Sequence, residues 1–203
     1  MKKNILFLIL LLTLSNSYSQ YKETTVYFRD GTKKNGISKF LFLSNEIKFK
    51  KDKTQKKPEI LNYKTVDKFS TYHRGEKIEY QYKIVYKVPG VKLLKVKRRG
   101  KVDLFYEVRT SSAAPMGGGA GGMGFTMGVS SSSEVYYIGK KDAPIVEKLF
   151  GLLGPTKRRF KKIVPKLFSD CEELMSLIEN KKFKKGDIVE IVDFYNNDCN
   201  TTN

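Results

Sequence analysis

Two cysteines, Cys171 and Cys199, carry the most readily anticipated chemistry of this sequence. They are its only cysteines, and both fall in a segment with helical periodicity. In an oxidising compartment an even pair of cysteines favours a disulfide. Two unrelated thiols or a redox pair are the alternatives, although redox cysteines usually lie close together, as in Cys-x-x-Cys. The spacing therefore predicts a structural disulfide between Cys171 and Cys199.

No other group of residues marks a catalytic, metal or cofactor site. His73 is the only histidine, so neither a zinc site nor a Ser-His-Asp arrangement is supported. The sequence contains no Gly-x-Ser-x-Gly elbow and no phosphate-binding glycine loop that ends in Lys-Ser/Thr. Thioether ligands suited to Cu(I) come from Met116, Met123 and Met127, but no cysteine or histidine lies nearby to complete a copper site. We predict no cofactor and no metal.

Three tyrosines form a candidate ligand face. Tyr80, Tyr82 and Tyr86 recur at every second or fourth position of one predicted strand, so they share one side of it. Exposed aromatic rings stack well on sugars or bases. The alternative is that these rings fill the inner face of a sheet, as strand aromatics often do.

The charge of the chain is strongly positive. The 39 basic and 21 acidic residues give a net charge of +18, which falls to +16 if Lys2 and Lys3 are removed with a leader. Such a charge suits anionic partners. Only seven of the basic residues are arginines, the side chain that makes forked phosphate contacts, so nucleic acid is disfavoured. An envelope protein or an anionic polysaccharide is the expected partner.

Residues 1–19 have the three parts of a secretory signal peptide. Two lysines precede an apolar stretch at residues 5–14, and the small residues Ser17 and Ser19 fit the signal-peptidase subsites. Ten helical residues reach only about 15 Å, half of the hydrocarbon thickness, which disfavours a membrane anchor. We expect cleavage after Ser19 and an exported protein, periplasmic or extracellular, without a membrane span.

From residue 21 to about residue 150 apolar and polar residues alternate, as in half-buried strands. The runs, clearest in the first two, lie at residues 78–86, 102–108, 24–29, 37–43, 47–51, 59–62, 91–97 and 134–139. In the second run the predicted wet face carries Asp103, Glu107 and Arg109. Turn signals separate the runs, including Asp30-Gly31, Asn35-Gly36, Pro89-Gly90 and Arg99-Gly100. Short strands with short turns predict a mainly antiparallel sheet in a sandwich, a half-barrel or a roll.

Residues 111–133 interrupt this pattern with seven glycines, six serines and no charge. Such a segment buries too little apolar surface to offset its ordering entropy, so it is predicted to be a disordered hairpin insertion.

After Gly154-Pro155 the apolar period becomes 3.6 residues, typical of helices. The first predicted helix meets Pro165, which must kink or restart it. Asp170 with Glu173 and Asp187 with Glu190 are typical helix N-caps and predict two more helices. The sequence thus predicts a disulfide-linked helical unit over residues 156–199.

Four stretches resemble a group of uncharacterised exported proteins of Bacteroidota-type bacteria. They are the signal ending in Tyr-Ser-Gln, the strand–turn–strand at residues 28–37, the strand pair at residues 93–106, and the Asp-Cys … Tyr-Asn-x-Cys unit at residues 168–171 and 194–199. The sequence departs from the group at Phe105, which precedes Tyr106 where the group has Leu-Tyr. The resemblance implies export and the disulfide, and it implies no activity.

These observations predict an α+β protein. An antiparallel β domain at residues 20–150 is followed by the three-helix unit. Because no catalytic motif is marked, a non-enzymatic binding module for a protein or an anionic glycan is the favoured interpretation. One alternative is a hydrolase of envelope or extracellular polymers, since carboxylate pairs are assembled in space rather than in sequence. The other is a structural subunit of an envelope assembly.

Overall fold

The computed structural model describes residues 21–41, 44–73, 75–112, 130–149 and 157–199. These residues form ten strands, namely β1 (Lys22–Phe28), β2 (Lys33–Leu41), β3 (Glu46–Lys50), β4 (Glu59–Leu61), β5 (Val66–His73), β6 (Glu76–Val85), β7 (Val91–Arg98), β8 (Val102–Ser112), β9 (Ser130–Lys140) and β10 (Ile145–Lys148). Three helices follow, α1 (Lys157–Phe168), α2 (Glu172–Glu179) and α3 (Ile188–Asn197). The predicted α+β fold, with the strands before the helices, is confirmed.

None of these three helices has the length and apolarity that a membrane span requires. The predicted signal peptide lies outside the described residues, as do the three methionines of the predicted insertion. The predicted domain limits, drawn from periodicity, stay a prediction. The structure divides the chain into two compact units between Tyr82 and Lys83, within β6.

The first unit is an antiparallel sheet with the strand order β4-β3-β2-β1-β5-β6. β3 alternates buried and half-buried residues, and the apolar side chains that this unit buries most fully are Val26, Ile47, Val66 and Phe69. β5 is the one strand of this sheet for which the sequence shows no alternation. This unit therefore has its own apolar core on one face of the sheet.

Asn35-Gly36, predicted as a turn, lies inside β2. The chain turns earlier, where the Asp30 carboxylate accepts hydrogen bonds from the backbone N–H and the hydroxyl of Thr32, at 2.9 and 2.6 Å. Gly36 pairs with Thr24 of β1. A Cβ at Gly36 would lie 2.2 Å from the carbonyl oxygen of Lys50 on β3, so glycine is required here by the close approach of a neighbouring strand.

In the second unit the end of β6 and strands β7 to β10 close into a ring. The strand order is β6-β7-β8-β9-β10, and β10 also pairs in parallel with β6, Ile145 with Ile84 and Val146 with Val85. Each of the five strands supplies at least one buried side chain to a common cluster, which consists of Val85, Leu94, Phe105, Val135, Tyr137 and Val146. This cluster fills the inside of the ring.

The start of β8 is buried on both faces. Phe105 belongs to the cluster inside the ring, whereas Val102 and Leu104 pack with the helices in a second core. Asp103, on the same side of the strand as Phe105, is only 1% exposed. The side of β8 predicted to be wet therefore faces the inside of the ring, and the expectation of one buried and one wet face is wrong for this strand.

The second core is shared between the outer face of the ring and all three helices. Its sheet side consists of Val102, Leu104, Ile138 and Leu149. Its helix side includes Val164 and Phe168 of α1, Leu174 of α2, and Ile191 and Val192 of α3, all less than 2% exposed. The apolar stripes predicted by the 3.6-residue period are thus buried against β8 and β9 as well as against each other.

The structure shows no side-chain cap hydrogen bond at either of the two predicted helix caps. Cys171 occupies the N-cap position of α2, and Asp170, one residue earlier, accepts a hydrogen bond from the Tyr195 hydroxyl at 2.7 Å. Asp187 lies at the N-cap position of α3, but its carboxylate accepts the backbone N–H of Lys184 at 2.8 Å. Both carboxylates therefore hold helix connections together and do not cap a first turn.

The strands extend into both ends of the predicted insertion. β8 and β9 stay paired as far as Ser112 with Ser130. Residues 113–129 lie outside the described residues.

Candidate functional site

Cationic side chains gather at the end of the ring from which β8 and β9 continue toward the glycine-rich segment. We call this group the Glu107 cluster, and it consists of one carboxylate and four cations, Glu107, Lys92, Arg109, Lys148 and Arg159. These side chains come from three strands and one helix, and a fourth strand, β9, supplies Tyr137, whose hydroxyl contacts Glu107. Lys148 of β10 pairs directly with Tyr137 in the sheet register.

Glu107 is the centre of this cluster. Arg109 Nε donates a hydrogen bond to Glu107 Oε1 at 2.7 Å, and Arg109 Nη2 lies 2.5 Å from the same oxygen. Lys92 Nζ lies 3.4 Å from Glu107 Oε2, and the Tyr137 hydroxyl donates to Oε1. The side chains of Lys92 and Glu107 are about a quarter exposed, at 25% and 22%. One carboxylate thus accepts three donors in a half-buried setting.

The pKa values of this cluster follow from burial and from these contacts. Burial favours the neutral form of Glu107, but the Tyr137 hydrogen bond and the charges of Lys92 and Arg109 outweigh it and lower the Glu107 pKa. Burial raises the pKa of Tyr137, and its hydrogen bond to Glu107 raises it further. Glu107 is therefore ionised and Tyr137 neutral at pH 7, so this pair offers no proton for exchange near neutrality.

The lowered pKa of Lys148 is consistent with a cluster that has more positive than negative charge. Its pKa is lowered by burial first and then by the guanidinium groups of Arg109 and Arg159, while Glu107 opposes the shift. The sequence segments that follow Arg109 and Lys148, at residues 110–133 and 150–156, contain no aspartate or glutamate that could balance this charge. A net positive, partly desolvated group of this kind attracts an anion.

A second group of charged side chains lies inside the ring near its other end. Arg99 Nη1 lies 2.8 Å from the buried Asp103, whose carboxylate also accepts the Gly100 N–H at 3.3 Å. Lys83, 3% exposed, donates to the Ala143 carbonyl at 2.7 Å and lies 5.3 Å from the centre of the Phe105 ring. Asp103 and Arg99 form an ion pair and Lys83 has a carbonyl acceptor, so we assign these groups a structural role.

The predicted cysteine pair is confirmed. The two sulfur atoms lie 2.00 Å apart and the two Cα atoms 5.7 Å apart. Cys171 precedes α2 and Cys199 follows α3, and both are buried in the core shared with the sheet. Their surroundings are apolar, in keeping with a structural bond.

The three tyrosines of the predicted ligand face have different surroundings. Tyr80 stacks on Phe69 with 4.8 Å between ring centroids. Tyr82 is 4% exposed and donates to the Asn45 carbonyl at 2.6 Å, and burial followed by the charge of Glu46 raises its pKa. Tyr86 is 56% exposed. A ligand face built from all three stays a prediction, and the exposed ring of Tyr86 is its most accessible member.

The lone histidine, His73, lies at the end of β5. Its Nδ1 is 3.1 Å from Lys22 Nζ on β1, an exposed contact. Within the described ranges no three histidine, cysteine, aspartate or glutamate side chains come together as ligands for a metal ion.

A groove of about 450 Å³ in the first unit is the candidate site for the hydrolase alternative, because two carboxylates, Asp30 and Glu59, line it. Hydrogen bonds from the side chain and then the backbone of Thr32 lower the pKa of Asp30. Glu59 lies 3.4 Å from Lys34 Nζ. A glycosidase needs one carboxylic acid with a raised pKa as proton donor, and Asp30 is shifted the opposite way.

The Glu107 cluster could not be predicted directly from the sequence, because its members are scattered along the chain from residue 92 to residue 159. The one available signal was the Glu107-x-Arg109 spacing, which places a carboxylate and a guanidinium on the same side of a strand. No protein-family model, curated protein or solved structure matches this chain.

Proposed function

We propose that the protein is a non-enzymatic binding module for an anionic glycan and that it acts outside the cytoplasm. The observation that carries this proposal is the Glu107 cluster, in which Lys92 and Arg109 contact the Glu107 carboxylate and the nearby Lys148 also feels the charges of Arg109 and Arg159. Sulfate or carboxylate groups on a sugar would accept hydrogen bonds from Arg159 and Lys148 and would complete the charge balance.

The exposed aromatic side chain of Tyr86 favours a glycan over other polyanions as the ligand. The Tyr86 N–H donates to the Val146 carbonyl at 2.9 Å, which places Tyr86 beside β10, two residues along that strand from Lys148. Val85 faces the inside of the β-ring, so the Tyr86 side chain points outward, with Lys87 Nζ 5.4 Å from its ring centroid. There it can pack on the apolar face of a sugar residue that extends past the cluster. The low arginine content argues against nucleic acid, which is bound mainly through phosphate contacts.

The test is binding of the chain without residues 1–19 to heparin, used as a sulfated probe, with dextran as the uncharged control. Calorimetry is run at about 0.1 M and about 1 M salt, where the Debye length falls from about 10 to about 3 Å. We expect heparin binding that weakens strongly with salt and no dextran binding. Salt-insensitive or absent heparin binding would contradict the proposal.

Variants locate the binding site. Lys148→Gln combined with Arg159→Gln removes the two cations that the cluster leaves without an acidic partner, and about tenfold or weaker binding is expected, because charged hydrogen bonds contribute about 1.5–3 kcal/mol each. Arg158→Gln with Lys162→Gln is the matched control, since it also removes two cations, at exposed positions of α1. Equal losses in both variants would mean that binding is diffuse and does not use this site.

Glu107→Gln should change heparin affinity in the opposite direction. Removing the only carboxylate of the cluster raises its positive charge, so heparin should bind more tightly than to the wild type. The size of the recovered glycan is measured in the same incubations. Shortened glycan would contradict a non-enzymatic role and favour the hydrolase.

A further inference from the structure

The helices of the second unit form a groove that the Glu107 cluster does not use. Its volume is about 740 Å³, within the range of small-molecule sites. Its floor is apolar and consists of Phe160, Val164, Pro165, Met175, Ile178 and Phe183. Its rim is charged and consists of Lys161, Lys181, Lys184, Lys185 and Glu179.

The floor of this groove is firmly held, yet part of it is open to solvent. Phe160 and Val164 are buried, whereas Met175, Ile178 and Phe183 are half-buried. Phe183 packs edge-to-face on Phe194 of α3, with 5.9 Å between ring centroids. An apolar surface that faces water in so basic a protein marks a site for a ligand.

Backbone hydrogen bonds fix the connector between α2 and α3, which forms one wall. The N–H groups of Lys181 and Lys182 donate to the carbonyls of Ile178 and Leu177, at 3.1 and 2.9 Å. The Asp187 N–H donates to the Lys184 carbonyl at 3.0 Å. The groove is therefore formed before any ligand arrives, so binding need not order this segment.

The dimensions and the charge of the groove together indicate its occupant. The α1 wall runs from Phe160 to Pro165, about 7.5 Å at 1.5 Å per residue, which is too short for a partner helix of several turns. A flexible alkyl chain can bend to fill a short apolar cleft, which a rigid helix cannot do. Four lysines against Glu179 favour a negative head group at the rim. We infer that this groove binds the acyl chain of an anionic amphiphile, with the lysine rim contacting its head group.

The test uses laurate below its micelle range, added to the chain without residues 1–19. Dodecyltrimethylammonium carries the same alkyl chain with a positive head group, and acetate carries the head group alone. Methyl NMR of Met175 and Ile178 reports contact with the floor. We expect laurate to shift both methyl signals and to bind about tenfold or more tightly than dodecyltrimethylammonium, with no shift from acetate.

Charge reversal on the rim gives matched variants. Lys161→Glu with Lys185→Glu should weaken laurate binding about tenfold. Lys162→Glu with Lys182→Glu should leave it within about twofold, because these exposed residues lie next to the rim residues Lys161 and Lys181 and do not line the groove. Equal affinity for the two surfactants, or unshifted methyl signals with laurate, would overturn the proposal. So would laurate binding seen only after Leu152→Ser and Leu153→Ser, which would indicate that the chain's own segment occupies the groove.

Discussion

Asn196 joins α3 to β8 through both ends of its side-chain amide. Its Oδ1 accepts the Val102 N–H at 2.9 Å, and its Nδ2 donates to the Val102 carbonyl at 3.0 Å. The side chain thus binds the backbone of β8 as a neighbouring strand would. Gly100 makes room for this contact, since a Cβ there would lie 2.3 Å from Asn196 Cγ. Two residues far apart in the sequence therefore depend on each other for their identity.

Asn196→Ala should lower the free energy of unfolding by about 2–3 kcal/mol, because it removes two hydrogen bonds and leaves the buried backbone polar groups of Val102 without partners. Asn197→Ala is the control, since Asn197 is the exposed next residue of α3 and its replacement should change stability by no more than about 0.5 kcal/mol. Urea unfolding at pH 7 measures both. Similar losses in the two variants would show that the amide contact contributes little.

Strands were predictable from the sequence where apolar and polar residues alternate, which includes β8 although its start is buried on both faces. β6 and β8 were found from their period of two. β5 was missed because Phe69, Ser70 and Thr71 are buried in succession, which erases the alternation. β10 has only four residues, too few to show a period. Closure of the ring depends on its parallel pairing with β6, a contact between distant segments that no local pattern specifies.

The Glu107 cluster was missed for the same reason, because it too depends on contacts between distant segments. The polar side of β8 was read as wet because Glu107 and Arg109 are charged, and charge in a strand usually means solvent. Here the ring places that side inward, where Tyr137, Lys92 and Lys148 from neighbouring strands meet it. The cysteine pair was predictable because the prediction required only an expected oxidising compartment and two helices adjacent in the sequence.

The helical element should depend on its disulfide. Cys171 and Cys199 are separated by 28 residues, a loop for which the chain-entropy account gives about 3.5 kcal/mol of stabilisation. Replacing both by serine should lower the free energy of unfolding by about that amount, measured by urea unfolding. A reductant should shift the wild-type transition to lower urea and leave the double variant unchanged. A wild-type transition insensitive to reductant would contradict this prediction.

The β-ring should lose stability in acid through Glu107. Its folded-state pKa lies below the ordinary value of 4.5, so its contribution is complete above pH 4.5 and is lost as the pH falls through the folded-state pKa. Glu107→Gln should therefore destabilise at pH 7 and converge with the wild type in acid, as urea unfolding across this range would show. Glu172→Gln, at an exposed position of α2, serves as the control. Parallel pH curves for Glu107→Gln and the wild type would rule out this role.

At the scale of the whole molecule, electrostatics is dominated by lysine. Many lysines lie along aromatic rings, such as Lys50 over Tyr21 and Lys97 over Tyr106, at 5.1 and 4.9 Å from the ring centroids. Their alkyl stems cover apolar surface while the charges stay near water. Most ion pairs of the described residues are partly exposed and contribute little to stability. With a net charge of +18, the long-range sum is repulsive.

This repulsion leads to opposite salt effects on stability and on binding. Raising sodium chloride from about 0.01 to about 0.15 M shortens the Debye length from about 30 to about 8 Å. The melting temperature of the chain without residues 1–19 should therefore rise, while its affinity for a sulfated glycan falls over the same range. Lys53→Gln with Lys56→Gln and Lys57→Gln, all in the exposed connection between β3 and β4, should melt higher at low salt and respond less to added salt. A melting temperature that falls with salt would mean that attractive ion pairs outweigh the repulsion, and the net charge could then no longer support the proposed binding of an anionic glycan.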